Sequence, residues 1–336
     1  MRSAMLGAAV CLLTAHLVFA ADSRGLPTGV TGTAPIGSPI AIPPPLPAGT
    51  VVVGMPPDTG TGNCFPFGCA YSGYYQQVYT RSQFSGPIQI AGLAFFNTQN
   101  NGNATAMNTG NWMISLSTTL YDWNTITTNY AANLGADNTV VFNGNLSQPW
   151  AFGNTLKIAF STPFHYDPSK GNLLLTVYAT GTSDPGGVIY FDTNGYNSGN
   201  LNGNTIMGRV YNNGTGLDHG YGLVTGFIPA IPPGVTCTAT PGIWPPPVGS
   251  PYSVSVLGTV TLGSAPIVLA SYGVVDQYSQ IEKTGSLGLG PMGGAYSVWI
   301  PLPAGHAQPG QRYSIVVGAK DAFGDIGSCI AVVTVP

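Results

Sequence analysis

The chain has 336 residues, of which 6% are charged, and a formal net charge of −3. An average soluble domain carries about 25% charged residues, so the polarity here rests on Asn, Thr, Ser, Gln and Tyr. No basic block is present to engage nucleic acid or hold an anionic membrane. With 47 Gly and 29 Pro, the composition suits short strands joined by frequent turns and gives long helices little support.

Residues 1–20 place Arg2 ahead of an apolar run from Ala4 to Phe19, and Val18 and Ala20 form a small-x-small site before Ala21. This pattern predicts a secretory signal, and the run is short for a membrane span. Cys11 would leave with it. Cys64, Cys69, Cys237 and Cys329 remain, and an even count in an exported chain predicts disulfides. Three pairings are open. The pairing Cys64–Cys69 with Cys237–Cys329 is favoured because each bridge then stays within one proposed domain. Four thiolates on zinc fit poorly, since C-x4-C is loose and the other two are far apart.

Residues 21–59 are rich in Pro and Gly and hold no period. They read as a linker, polyproline-like near Pro43–Pro45, with Val51–Val53 as a candidate first edge strand. Residues 60–229 form the first proposed domain, organised around the stretch from Cys64 to Phe96. Its strands are expected at Gln76–Thr80, Ile88–Phe96, Trp112–Thr119, Thr139–Asn143, Thr155–Phe160, Leu173–Ala179, Gly187–Asp192, Thr205–Tyr211 and Tyr221–Phe227, separated by Asn/Gly/Pro turn clusters. Many short strands with turns at this spacing predict a sandwich or jelly roll. One short helix is expected near Thr125–Leu134, where Ile126, Tyr130 and Leu134 share a face.

The runs YYQQVYTRSQFSGPIQIAGLAFF, WMISLSTT, NTVVFNGNLS, LKIAFSTPFHYDPSKGNLLLTV and GRVY cover most of residues 70–227. Together they resemble a domain of bacterial exported and surface proteins, of the kind often found with a PEP-CTERM-type sorting tail. This sequence does not show that tail. The resemblance implies a jelly-roll-like sandwich with no known enzymatic role.

Residues 230–236 are a second Pro-rich linker. Residues 237–336 alternate well, with strands expected at Tyr252–Leu257, Ile267–Tyr272, Tyr296–Ile300, Tyr313–Ala319 and Ile330–Val335. About 100 residues of such strands fit an immunoglobulin-like sandwich. The opening CTATPGIWPPP and the closing RYSIVVGAKDAFGDIGSCIAVVTVP resemble secreted bacterial Ig-like domains related to the hyalin-repeat group, which implies a spacer or adhesion module. The predicted fold class is thus all-β, a jelly-roll-like sandwich followed by an Ig-like one.

Catalytic patterns are weak. His165 with Asp167 and His219 with Asp218 sit at turns, and neither lies near a G-x-S-x-G elbow. Glu282 is the only Glu, and no spacing selects a pair among Asp122, Asp137, Asp167, Asp184, Asp192 and Asp218 for glycoside hydrolysis. Asp321 and Asp325 in KDAFGDIG could take calcium if Asp276 came near, but capping their own turn is the simpler role. No metal or other cofactor is assigned. Sugar binding is the sharper option, because aromatic faces and amides suit rings and hydroxyls. Trp123 and Trp150 lie in loop-like contexts, with Tyr121, Tyr130 and Asn124 near the first of them. Trp112, Trp244 and Trp299 read as structural. The sequence therefore predicts a secreted or cell-surface, non-catalytic structural or adhesion protein. Its partner would be a surface or matrix component, with a polysaccharide as one candidate, and with no nucleic acid and no membrane insertion once the signal is removed. The alternative is a carbohydrate-binding protein that uses the first sandwich, with a secreted hydrolase as a distant third.

Overall fold

A computed structural model describes residues 45–183, 186–197, 200–201, 204–243, 252–302 and 309–335. The expected signal, most of the first linker, Trp244, His306 and Asp184 lie outside these residues. Among the described residues no helix is long and apolar enough to cross a membrane. The protein is all-β, and its strands pair antiparallel in several sheets that form two sandwiches.

The first sandwich sets a six-stranded sheet against a four-stranded one. The six-stranded sheet runs in the order Gly216–His219, Met207–Tyr211, Gly73–Tyr79, Asn172–Ser183, Thr109–Thr119, Thr139–Gly144. The four-stranded sheet runs Val51–Val53, Thr225–Pro229, Ile88–Phe96, Thr155–Tyr166. Side-chain parity decides what lies between them. Tyr75, Tyr79, Trp112, Ile114, Leu116, Leu173, Leu175 and Val177 come from one sheet, and Leu93, Phe95, Leu156, Ile158, Phe164 and Phe227 from the other; they form one buried cluster. The expected edge strand Val51–Val53 is hydrogen-bonded in register with Thr225–Phe227, so that part of the stretch read as a linker belongs to this sheet. The expected helix is shorter than its pattern. Only Tyr130–Asn133 is helical, with the Asn129 side chain accepting from the Ala132 N–H as N-cap.

Cys64–Cys69 and Cys237–Cys329 are both bonded, the pairing favoured from the sequence. The connection at 230–233 is hydrogen-bonded to both sandwiches. Ala230 N–H donates to Gln89 O at 2.7 Å, and Ile231 N–H donates to Ser264 Oγ at 2.7 Å.

The second sandwich has seven strands, three on four. One sheet is Gly234–Thr240, Tyr252–Thr261, Gly294–Leu302; the other is Ile281–Ser286, Ile267–Asp276, Arg312–Asp321, Ile326–Thr334. Val254, Val256, Ile300, Tyr313, Ile315, Val317 and Val333 fill the space between. The Cys237–Cys329 bridge joins the first strand of one sheet to the last strand of the other.

Candidate functional site

The six-stranded sheet has an outer face, and the residue that leads to it is Tyr74. In the run GYYQQVY, alternation sends Tyr75, Gln77 and Tyr79 inward and Tyr74, Gln76 and Val78 outward. The segment 120–138 folds over part of this outer face. It covers Gln76, whose Nε2 donates to Tyr130 O and Thr176 Oγ1 at 3.0 Å each, and whose Oε1 accepts from Asn133 Nδ2 at 2.8 Å. Val78, Leu174 and Val210 are buried beneath Ile126 in the same way. The other part of the face stays open.

On the open part, one cross-strand row reads Tyr74, Tyr178, Met113, Asn143. Neighbouring strands lie about 4.8 Å apart, so the row is about 14 Å long. The Tyr74 and Tyr178 rings meet with centroids 4.5 Å apart, and Tyr130 approaches Tyr74 at 5.3 Å. Tyr74 is 38% exposed. An open depression of about 440 Å³ adjoins the two rings, lined further by Ser72, Thr180 and Asn213. Asn111 borders the row and donates to Asn143 Oδ1 at 2.8 Å.

The platform is held from below. Tyr74 O accepts from the hydroxyls of Tyr71 and Tyr130, the latter at 2.7 Å, and Tyr74 N–H donates to Asn213 Oδ1 at 3.0 Å. Burial, reinforced by the neighbouring Tyr71, pushes the Tyr130 hydroxyl up, so it remains a neutral donor. Gly73 has φ 120°, and a Cβ there would stand 2.3 Å from Asn213 Oδ1, so only glycine permits this clamp. The residues named around the depression and the row include no carboxylate, imidazole or amine. They can stack and hydrogen-bond, but they offer no acid–base pair.

The expected sugar-binding residues are dispersed. Trp150 is a correction: it is 6% exposed, its indole N–H donates to Asn97 Oδ1 at 3.1 Å, and its ring packs edge-on to Phe191 at 5.7 Å. Its loop is anchored by Trp150 N–H to Thr105 O and Met107 N–H to Gln148 O, which leaves no face for a sugar. Trp123 is half-buried, with its backbone close over Gly208. Gly208 pairs with Val78, four residues along the strand from Tyr74, or about 13 Å. Tyr121 is half-buried and its carbonyl accepts from Asn172 Nδ2, while Asn124 is exposed. Only Tyr130 joins the platform. Trp112 is fully buried, as expected, but Trp299 is 68% exposed and so does not take the structural role read for it.

The candidate charge groupings are also spread apart. The Asp218 carboxylate binds Arg209, not His219. Asp167 is bonded to Ser169, and His165 lies exposed on an edge strand. Asp321 Oδ1 accepts from the N–H groups of Phe323 and Asp325 and so caps its own turn. Asp276 lies at the opposite end of the paired strands, opposite Tyr313, whereas Asp321 is opposite Ile267. Among the described residues no three His, Cys, Asp or Glu side chains come together as metal ligands.

No protein-family model matches the chain, and no curated protein matches it. Among solved structures it is similar to a β-glucuronidase of Bifidobacterium dentium, at 13% identity and a TM-score of 0.25, over 79% of this chain and 40% of that one. A glycosyl hydrolase family 2 member from Bacteroides cellulosilyticus matches at 10% identity and a TM-score of 0.24, over 78% and 27%. A putative β-galactosidase from Bacteroides fragilis matches at 12% and 0.22, over 79% and 32%. The chain spans less than half the length of these structures. Likeness at this level carries no inference about activity.

Proposed function

We propose that this is an exported, non-catalytic surface or matrix protein whose first sandwich binds a neutral polysaccharide across the Tyr74–Tyr178 row. The observation that carries the reading is the pairing of two phenol rings in mutual contact with an amide and hydroxyl border that has no ionisable group except the phenols. Rings of this kind cover the apolar face of a sugar, and Asn111, Asn143, Asn213 and Thr180 are placed to exchange hydrogen bonds with its hydroxyls. Two disulfides agree with export into an oxidising compartment. Among the described residues that line the row and the depression there is no acid–base pair, which favours retention of the ligand over its cleavage.

The test is retention of the full chain on insoluble neutral polysaccharides, compared with Tyr74→Ala/Tyr178→Ala. Retention that drops about tenfold or more, with an unchanged thermal transition, supports the reading. Equal retention of the two proteins removes the row from the binding site. Retention on cell envelopes alone would instead favour adhesion to another surface component.

A further inference from the structure

The second sandwich carries a different kind of surface. In the strand Gly294–Leu302, Tyr296, Ile300 and Leu302 are buried, and the opposite parity presents Ser297, Trp299 and Pro301 outward. Trp299 is 68% exposed. Its cross-strand neighbour is Ser255, which pairs in turn with Thr240. The next row along the strands is Ser297, Leu257, Thr238, and the next is Ala295, Thr259, Thr236. Rows on one face repeat about every 7 Å along the strands, and neighbours within a row lie about 4.8 Å apart. The three-stranded sheet thus displays one indole at the end of an array of six short hydroxyl side chains, with Ala295 and the 45% exposed Leu257 among them. Thr236 and Thr259 bond to one another through their hydroxyls at 2.8 Å, which holds that row in place.

These nine positions contain no ionisable side chain, and this decides the partner class. A nucleic acid, an acidic polymer or an anionic membrane needs cations on the face that receives it. A protein hot spot surrounds its aromatic anchor with packing that excludes water; here six of the eight positions around the indole are Thr or Ser, which are under-represented at such spots, and Leu257 and Ala295 are the two apolar ones. A neutral polymer with many hydroxyls suits both features, since the indole stacks on the apolar side of a sugar ring and the Thr/Ser rows bond its hydroxyls.

We propose that the Trp299 face is a second binding face for neutral polysaccharide, separate from the first sandwich. It shares a ligand class with the Tyr74–Tyr178 row but none of its residues, so each stands or falls alone.

The experiment compares four full-length proteins on cellulose, chitin and insoluble β-glucan: wild type, Trp299→Ala, Trp299→Tyr, and Tyr74→Ala/Tyr178→Ala. Because Trp299 is exposed, its replacement leaves the core intact, and an unshifted melting curve confirms this. The expected result is a loss of about tenfold or more for Trp299→Ala, with substantial recovery in Trp299→Tyr, which keeps a stacking ring. Isotherms that superimpose for Trp299→Ala and wild type, while Tyr74→Ala/Tyr178→Ala loses retention, overturn the second face and leave the first standing. The reverse pattern supports the Trp299 face and removes the Tyr74–Tyr178 row. Absence of wild-type retention on every neutral polymer overturns both.

Discussion

Removing the Asp218 carboxylate should destabilise the first sandwich far more than a surface substitution does. Arg209 is 1% exposed on the inward parity of its strand. Its guanidinium lies 4.5 Å from the Tyr211 ring centroid and 4.4 Å from that of Tyr221, and Nε and a terminal nitrogen each reach Asp218 Oδ2 at 2.8 Å. The same cation lowers the neighbouring Tyr75 hydroxyl against a larger upward push from burial. Stacking alone does not neutralise a buried cation. Asp218→Ala leaves that charge without its carboxylate, and breaking a buried pair from one side costs about 3–5 kcal/mol. Asp218 is 22% exposed, so water recovers part of this and about 3 kcal/mol is expected. For a domain of this size that lowers the melting temperature by about 6–12 °C. Differential scanning calorimetry of Asp218→Ala, Arg209→Met and the double variant measures it. The double variant should be more stable than Asp218→Ala, because no uncompensated charge remains. A shift within about 1 °C for Asp218→Ala, or a double variant at the sum of the singles, would refute the reasoning.

Replacing Cys237 and Cys329 together by Ala opens a loop with a sequence separation of 92 and should cost the second sandwich about 4–5 kcal/mol in the chain-entropy model, read as a lower urea midpoint. Trp150→Ala should destabilise by about 3–5 kcal/mol as a core truncation; a variant that melts like wild type but loses polysaccharide retention would contradict its burial. Asp325 has its carboxyl raised by burial and then by the nearby Asp321. A raised carboxyl contributes stability that is full below its unfolded value and is lost as pH rises through its folded value. Asp325→Asn should therefore stabilise at pH 7 and lose that advantage by about pH 3.5; equal gains at both pH values in urea unfolding would refute the assignment.

Much of the fold was legible because alternation and turn chemistry are local. The bounds of Ile88–Phe96 follow from the sequence, since Gly86-Pro87 precede this largely buried run and the polar Asn97-Thr98 follow it. The strands Gly234–Thr240 and Ile281–Ser286 carry no such local signal. The first begins in a Pro-rich stretch, and the second is an edge strand with little apolar content, so neither signals its pairing locally. The candidate site was less legible. Exposure depends on how loops pack: SQPWAF looks like a surface loop, yet Asn97 and Phe191, distant in sequence, draw Trp150 into the core. For Trp299 a signal was present. Tyr296, Val298 and Ile300 share one parity of that strand, and Trp299 shares the other with Ser297 and Pro301. The same reading of GYYQQVY separates Tyr74 from Tyr75 and Tyr79.

The Cys237–Cys329 bridge also governs how this chain would behave under tension. It ties the strand that enters the second sandwich to the strand that leaves it. A pull on the two ends of that domain passes from one side to the other through the covalent link. The strands between could tear apart, yet roughly 300 Å of extensible chain would stay looped. Under such a pull that module acts as a near-inextensible strut until the sulfur–sulfur bond is reduced.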